Sequence, residues 1–280
     1  MKTVVALADL RETLASFRAL GERIALVPTM GNLHAGHYAL VDLARRHADR
    51  VVVSVFVNPT QFGPAEDFSR YPRTLAADSE GLGNRGCDLL FAPEVDTLYP
   101  FGIADTVSVQ VPRLGDQLCG QARPGHFVGV ATVVTKLFNA VAPEVSVFGQ
   151  KDYQQLLLIR RLVADLCLPI EILMAPTVRE ADGLALSSRN QYLDPADRAL
   201  APGLYRSLLR MQATLRAGRS VAEVEAQAFS ELSAQGFSVD YAVLRRASDL
   251  GPAELAEGQG LVALLAARLG TTRLIDNLLI

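Results

Sequence analysis

The sequence predicts an α/β protein, a doubly wound parallel sheet followed by a smaller C-terminal α+β domain. Two observations carry the first part: short apolar runs alternate with amphipathic segments, and the runs are apolar without a break, as strands covered on both faces require. A third carries the second part. Near residues 176–182 the alternation gives way to Ala- and Leu-rich helical patterns and then to short strand patterns with no helix between them.

Taken in order, IALVPT (24–29), VVVSVFVNP (51–59), DLLFAP (88–93) and VSVFG (145–149) read as buried strands. Helices are expected over 36–48, 74–84 and 126–141, and QQLLLIRRLVADLCL forms another before the strand pattern IEILMAPTV. Beyond ADGLALSSRNQYLD come helices over 195–217 and 220–235, then strand patterns in VDYAVLRR, LVALLAARL and TRLID. The division is a Rossmann-like domain over 1–177 and a smaller domain over 178–280, with no internal repeat and no low-complexity tract.

Composition narrows the function classes. With 280 residues, 50% hydrophobic and 20% charged, the chain can bury a sizeable core. Its formal charge of -3 and the lack of any Lys/Arg block argue against a nucleic-acid binder, so an anionic ligand needs cations placed locally. Asp9, Arg11 and Glu12 interrupt the N-terminal apolar stretch, which fits neither a signal peptide nor a membrane span, and a cytoplasmic protein is expected. Cys87, Cys119 and Cys167 are far apart and form no CxxC pair, so neither a disulfide framework nor a cysteine zinc site is expected.

The stretch VPTMGNLHAGH (27–37) holds two of the four histidines, His34 and His37. It lies between a predicted strand and a predicted helix, at the carboxyl end of a parallel strand, where doubly wound sheets bind ligands and a helix N-terminus offers N–H groups to phosphate. Gly31 and Gly36 have P-loop spacing, but His37 and Tyr38 stand where Lys and Ser/Thr are required, and no GxGxxG is present. A zinc site would lack a third ligand. The plain alternative is two solvated histidines in a turn; the chemical one is a pair of donors to charge developing on a phosphate, with Gly36 letting the triphosphate pass. FGQKDYQQ (148–155) places Lys151 and Asp152 at the end of another strand, and ALSSRNQYL (185–193) offers Ser187, Ser188 and Arg189, suited to phosphate oxygens or to a polar interdomain turn.

HAGH matches the HxGH signature of the nucleotidyl-transferring superfamily that includes class I aminoacyl-tRNA synthetases. PTMGNLHAGH, FVNPTQFGPAEDFSRYPRT, GQARPGHFVGVATVVTKLFN, FGQKDYQQ, LALSSRNQYL and GTTRLIDN occur in one order, and together the chain resembles the pantoate–β-alanine ligase family. The resemblance implies a pantoyl adenylate formed from ATP and pantoate, then attack by the β-alanine amine with release of AMP. It also implies magnesium and a homodimer. By the same resemblance, Met30, Gly31, Asn32, Leu33, His34, Ala35, Gly36 and His37 contact ATP, as do Gly149, Gln150, Lys151, Asp152, Val178, Leu186, Ser187, Ser188 and Arg189. His34, His37 and Lys151 are the implied catalytic groups. Gln61 and Gln155, with Asn58 as a further candidate, would read the hydroxy acid, since an amide both donates and accepts. Val133 and Val134 would face the acid's methyl groups, and Asp78 is the implied magnesium ligand. His126 reads as part of a helix-starting turn and His47 as a helix C-terminal residue.

This chain departs from the family pattern at Leu186, where Met is usual, at Gln150, where Glu is frequent, and in AADSE, which retains only Asp78 of two acidic residues. No Ser or Cys stands beside a base as an acyl-enzyme nucleophile would. The competing function classes are a nucleotidyltransferase that stops at an adenylated product and a non-catalytic nucleotide sensor.

Overall fold

The computed structural model describes residues 1–64, 66–254 and 260–280; Ala65, inside FVNPTQFGPAEDFSRYPRT, and residues 255–259 lie outside the described residues. The chain divides into two compact units, Met1–Gly149 with Leu158–Ala175, and Gln150–Leu157 with Pro176–Ile280. Among the described residues no helix is long and apolar enough to cross a membrane.

The first unit is a Rossmann-like sheet of six parallel strands. In chain order its elements are β1 (Lys2–Val4), α1 (Leu7–Ala19), β2 (Ile24–Thr29), α2 (Ala35–Arg45), β3 (Arg50–Val55), α3 (Leu75–Asn84), β4 (Leu89–Phe91), α4 (Val95–Leu98), α5 (Cys119–Ala122), α6 (His126–Val141), β5 (Val145–Gly149), the part of α7 (Tyr153–Asp165) from Leu158 onward, and β6 (Glu171–Ala175). The sheet order is β1-β4-β3-β2-β5-β6. Alternate residues of the central strands, Ala25 and Val27, Val51 and Val53, Val145 and Val147, pack with Val41, Ala44 and Leu82 of α2 and α3 in one core. The intervening Leu26 and Val52 are also buried, which explains the unbroken apolar runs.

Strand order reverses at β2, which pairs with β3 on one side and β5 on the other. Pairing with β3 continues to Thr29, whereas pairing with β5 ends at Leu26. Pro28 has no N–H with which to extend a ladder, so the sheet opens at the carboxyl ends of β2 and β5. Such a switch point is where open α/β sheets take their ligands, and the HAGH loop follows directly from β2.

The second unit contains α8 (Pro195–Leu200), α9 (Gly203–Arg216), α10 (Val221–Ala234) and the antiparallel sheet β7 (Ser238–Arg246), β8 (Leu261–Leu269), β9 (Thr272–Leu279). Leu204, Leu208 and Met211 of α9 meet Val224, Ala228 and Leu232 of α10 over Leu244, Leu265 and Leu269 of the sheet.

Several elements differ from the sequence expectation. The single helix over 195–217 is two helices, because Pro202 removes a donor and crowds the preceding turn. The strand expected over 51–59 ends at Val55, and Pro59–Gln61 instead forms a 3-10 turn capped by the Asn58 side chain. β1 and α1 were not predicted: β1 is a three-residue edge strand on β4, and α1 buries only Leu10, Thr13 and Leu14.

Candidate active site

The segment Met30 to His37 forms the turn between β2 and the first residues of α2. Gly31 and Asn32 both take left-handed backbone, φ 84 and 52. A Cβ on Gly31 would press to 3.0 Å from both Asp78 Oδ2 and Val55 Cγ1, so glycine is required on conformational and steric grounds. The turn is held from the first helical turn of α3. Asp78, only 2% exposed, accepts from the Asn32 N–H at 3.0 Å through Oδ2 and from the Leu33 N–H at 2.8 Å through Oδ1. The Thr74 hydroxyl donates to Oδ2 at 3.1 Å. Behind this, Thr29 Oγ1 donates to the Ser54 carbonyl at 2.8 Å and accepts from the Gly31 N–H at 3.3 Å.

His34 is the N-cap of α2 and His37 its third residue, and the two build a capping box from imidazoles. His34 Nδ1 accepts from the Gly36 N–H at 3.1 Å, and His37 Nδ1 accepts from the His34 N–H at 3.3 Å. The rings lie 4.1 Å apart, centroid to centroid, tilted by 44°. A nitrogen that accepts cannot carry the proton, so each neutral ring bears its N–H on Nε2, on the edge away from the backbone. The bare helix amides expected to bind phosphate are therefore partly occupied by the histidines, and the N–H of each ring is the one on Nε2.

The 3-10 turn Pro59–Gln61 lies against α6. A Cβ on Gly129 of α6 would strike the Thr60 carbonyl and Gln61 Cα, so a glycine permits this approach. Asn58 donates to Gln61 Oε1 and to the Gly129 carbonyl, both at 3.1 Å, and its Oδ1 accepts from Tyr99 Oη at 2.7 Å and Thr60 Oγ1 at 3.0 Å. Asn58, expected as a substrate contact, thus has both ends of its amide on protein groups and orients Gln61. With Oε1 engaged, Gln61 turns Nε2 toward Met30 Sδ, 3.0 Å away, and acts on that side as a donor. The Gln61 carbonyl accepts from His126 Nδ1 at 2.8 Å, His126 Nε2 faces Arg123, and Arg123 makes two 2.6 Å bonds to Glu66. Burial opposes the Glu66 charge, but the Arg123 guanidinium overrides it and holds the carboxyl at about 2. His126 is accordingly a brace for the Gln61 backbone. Val133 and Val134 are buried in α6, and Gly149 closes β5.

In the second unit Gln150, Lys151 and Asp152 form a 3-10 turn leading into the first turn of α7, which carries Gln155. Lys151 Nζ stands 4.0 Å from Asp152 Oδ2, a loose pairing. Val178 and Leu186 are joined by a 3.0 Å bond from the Leu186 N–H to the Val178 carbonyl. Ser187 Oγ accepts from the Arg189 N–H at 3.2 Å and caps the 3-10 turn Ser188–Tyr192, so Ser187 to Arg189 form one local structure. The sequence gives GTTRLIDN a strand pattern and a place in the resemblance but no site residue, yet its Asp276 and Asn277 are buried in β9 and bonded to these same segments. Two adjacent polar residues in an apolar strand pattern were the signal available.

Both oxygens of Asp78 accept backbone N–H groups, a set that describes a brace, whereas the sequence expectation made it a magnesium ligand. Among the described residues no group of three or more His, Cys, Asp or Glu could hold a metal ion.

Known proteins resemble this chain over almost its whole length. The family model described as "Pantoate-beta-alanine ligase" matches residues 2–279. The chain is 58% identical over 279 residues to the "Pantothenate synthetase" of Xylella fastidiosa (strain M12), covering 99% of this chain and 98% of that protein. It is 56% identical to the protein of the same name from Chromohalobacter salexigens, with 99% and 98% covered. Among solved structures, pantothenate synthetase from Thermus thermophilus matches with a TM-score of 0.92 at 49% identity, covering 99% of each chain. Pantoate-beta-alanine ligase from Francisella tularensis, complexed with beta-gamma ATP and beta-alanine, matches with a TM-score of 0.84 at 33% identity, covering 100% of this chain and 97% of that one.

Two variant sets test the site. His34→Asn keeps a capping acceptor and loses the Nε2–H donor, whereas His34→Ala loses both. Both are expected to lower the adenylation rate by roughly 10²- to 10³-fold, but only His34→Ala should also lose about 1 kcal/mol of stability in urea unfolding. A stable, fully active His34→Asn would remove the ring from the chemistry. Asp78→Asn exchanges an acceptor for a donor facing a backbone N–H, and the displaced loop should slow adenylation about 10²-fold. Excess magnesium should not restore the rate; restoration would return Asp78 to the metal.

Proposed function

The chain belongs to the pantoate-beta-alanine ligase family, and we propose that it joins pantoate to β-alanine through a pantoyl adenylate, with cleavage of ATP to AMP and pyrophosphate. The observation that carries this reading is the pair of imidazole Nε2–H donors fixed by the capping box at the sheet's switch point. A carboxylate attacking the α-phosphorus forms a new P–O bond while the bond to the pyrophosphate oxygen breaks. Such a displacement needs charge neutralisation and in-line placement rather than a protein nucleophile. His34 and His37 supply donors for the charge that grows on the phosphate oxygens, and Lys151 supplies a cation.

By the family resemblance, the nucleotide contacts in this proposal are Met30, Gly31, Asn32, Leu33, His34, Ala35, Gly36, His37, Gly149, Gln150, Lys151, Asp152, Val178, Leu186, Ser187, Ser188 and Arg189. Gln61, held as a donor by Asn58, suits the pantoate carboxylate or hydroxyl, and Gln155 is the second acid contact. Val133 and Val134 are the proposed apolar wall. In the second step the β-alanine amine attacks the acyl carbon, AMP departs with the phosphate-bound oxygen, and the amine proton is released. Magnesium belongs to this reading as part of the MgATP substrate, carried on phosphate oxygens, since Asp78 is bound to backbone N–H groups. Reaction with ATP fits a cytoplasmic site of action, and the family resemblance supports a homodimer.

With MgATP and pantoate but no β-alanine, the enzyme should release about one equivalent of pyrophosphate per site and stall, because a shielded adenylate resists water. β-Alanine should then discharge it as pantothenate and AMP. Oxygen-18 placed in the pantoate carboxylate should appear in AMP; label in pyrophosphate or free phosphate would exclude attack at the α-phosphorus. Continuous ATP consumption without β-alanine would favour a simple nucleotidyltransferase.

A further inference from the structure

Within the second unit, Asn277 of β9 is 1% exposed and both ends of its side-chain amide are bonded. Its two N–H groups donate to the Gln150 and Lys151 carbonyls, each at 2.9 Å, while Oδ1 accepts from Gln150 Nε2 at 3.3 Å. Among the standard side chains of this length, only asparagine presents two such donors and an acceptor; an aspartate would set its charge against two carbonyls. The next residue back, Asp276, forms a bidentate pair with Arg179 at 2.6 and 2.9 Å, stacked by the guanidinium on Tyr205 at 3.7 Å. Burial pushes the Asp276 carboxyl above its ordinary value, against the pull of Arg179. Arg179 in turn pairs through its backbone with Ala185, beside the Val178–Leu186 bond. The Tyr153 hydroxyl adds a 2.9 Å bond to the Ala247 carbonyl. These bonds explain why Gln150–Leu157, although continuous with β5, belongs to the second compact unit.

We propose that Asn277 is a positioning residue for Lys151: by gripping two successive carbonyls it fixes the peptide planes on both sides of the Lys151 Cα and so the direction in which the ammonium is presented. The inference rests on the proposed role of Lys151 in adenylation. Asp276, through Arg179, ties the segment bearing Val178 and Leu186 to the same strand, so that two adjacent residues of β9 hold both proposed nucleotide-binding segments of the unit in one frame.

A double-mutant cycle, read as the single-turnover rate of pyrophosphate release with enzyme in excess, tests this. Asn277→Ala and Asn277→Asp should each slow release about 10- to 100-fold; the second variant keeps the shape and the acceptor, and serves if the first does not fold. In a Lys151→Ala background neither should slow the reaction by more than about 2-fold further, because the group they position is gone. Losses that multiply, or Asn277 variants at the wild-type rate, would overturn the proposal while leaving Lys151 in place. Lys151→Ala at the wild-type rate would overturn the role of Lys151 and the proposal with it.

Discussion

The candidate site depends on one carboxylate. Asp78 reaches from α3 to the turn after β2 and accepts from the backbone N–H groups of Asn32 and Leu33, just where the chain has passed through two left-handed residues. A left-handed Asn is unfavourable in isolation, and two adjacent half-buried N–H groups need acceptors. The carboxylate removes both difficulties together. It thereby delivers His34 to the N-cap of α2 at the right height and rotation for the imidazole box to close. Each bond to a charged acceptor contributes roughly 1.5–3 kcal/mol, enough to make the turn a single conformation before any ligand arrives.

The same solution appears twice more with amides. Asn58 takes Gln61 by its carbonyl and leaves the amide nitrogen facing Met30, and Asn277 takes Gln150 and Lys151 by their carbonyls. In each case a buried amide spends both of its N–H groups on the protein, and its partner belongs to a residue proposed to contact substrate. A buried amide satisfied at both ends has one orientation, and that orientation passes to the group it holds. Preorganisation of this kind lets donors meet developing charge without rearranging during the reaction. The local cations that a net charge of -3 could not supply are then needed at only a few places.

Much of this was legible in the sequence. Apolar runs without alternation announced a sheet covered on both faces, and Ile24–Thr29 and Val145–Gly149 appear as expected. HAGH marked the loop because two histidines around a glycine are costly to explain as an ordinary turn. What stayed hidden was which polar residue faces inward. Asp78 and Asn58 are ligand contacts only by family resemblance, and the backbone groups that they hold at Leu33 and Gly129 lie 45 and 71 positions away in the chain, beyond any local pattern. Asn277 lies within β9, and its side-chain bond with Gln150, 127 residues earlier, is one that no periodicity reveals. β1 was invisible because three residues do not make a period.

The claim at the centre is that backbone capping fixes the tautomer of both histidines and so leaves each ring its N–H on Nε2. Nitrogen-15 NMR of the ligand-free protein with labelled imidazoles, at a pH near 8 where histidine is ordinarily neutral, reads it directly. The account predicts that His34 and His37, assigned by substitution, both show an unprotonated Nδ1 and a protonated Nε2. A proton on Nδ1 of either ring would contradict it, since that nitrogen then could not accept the backbone N–H on which the loop is built.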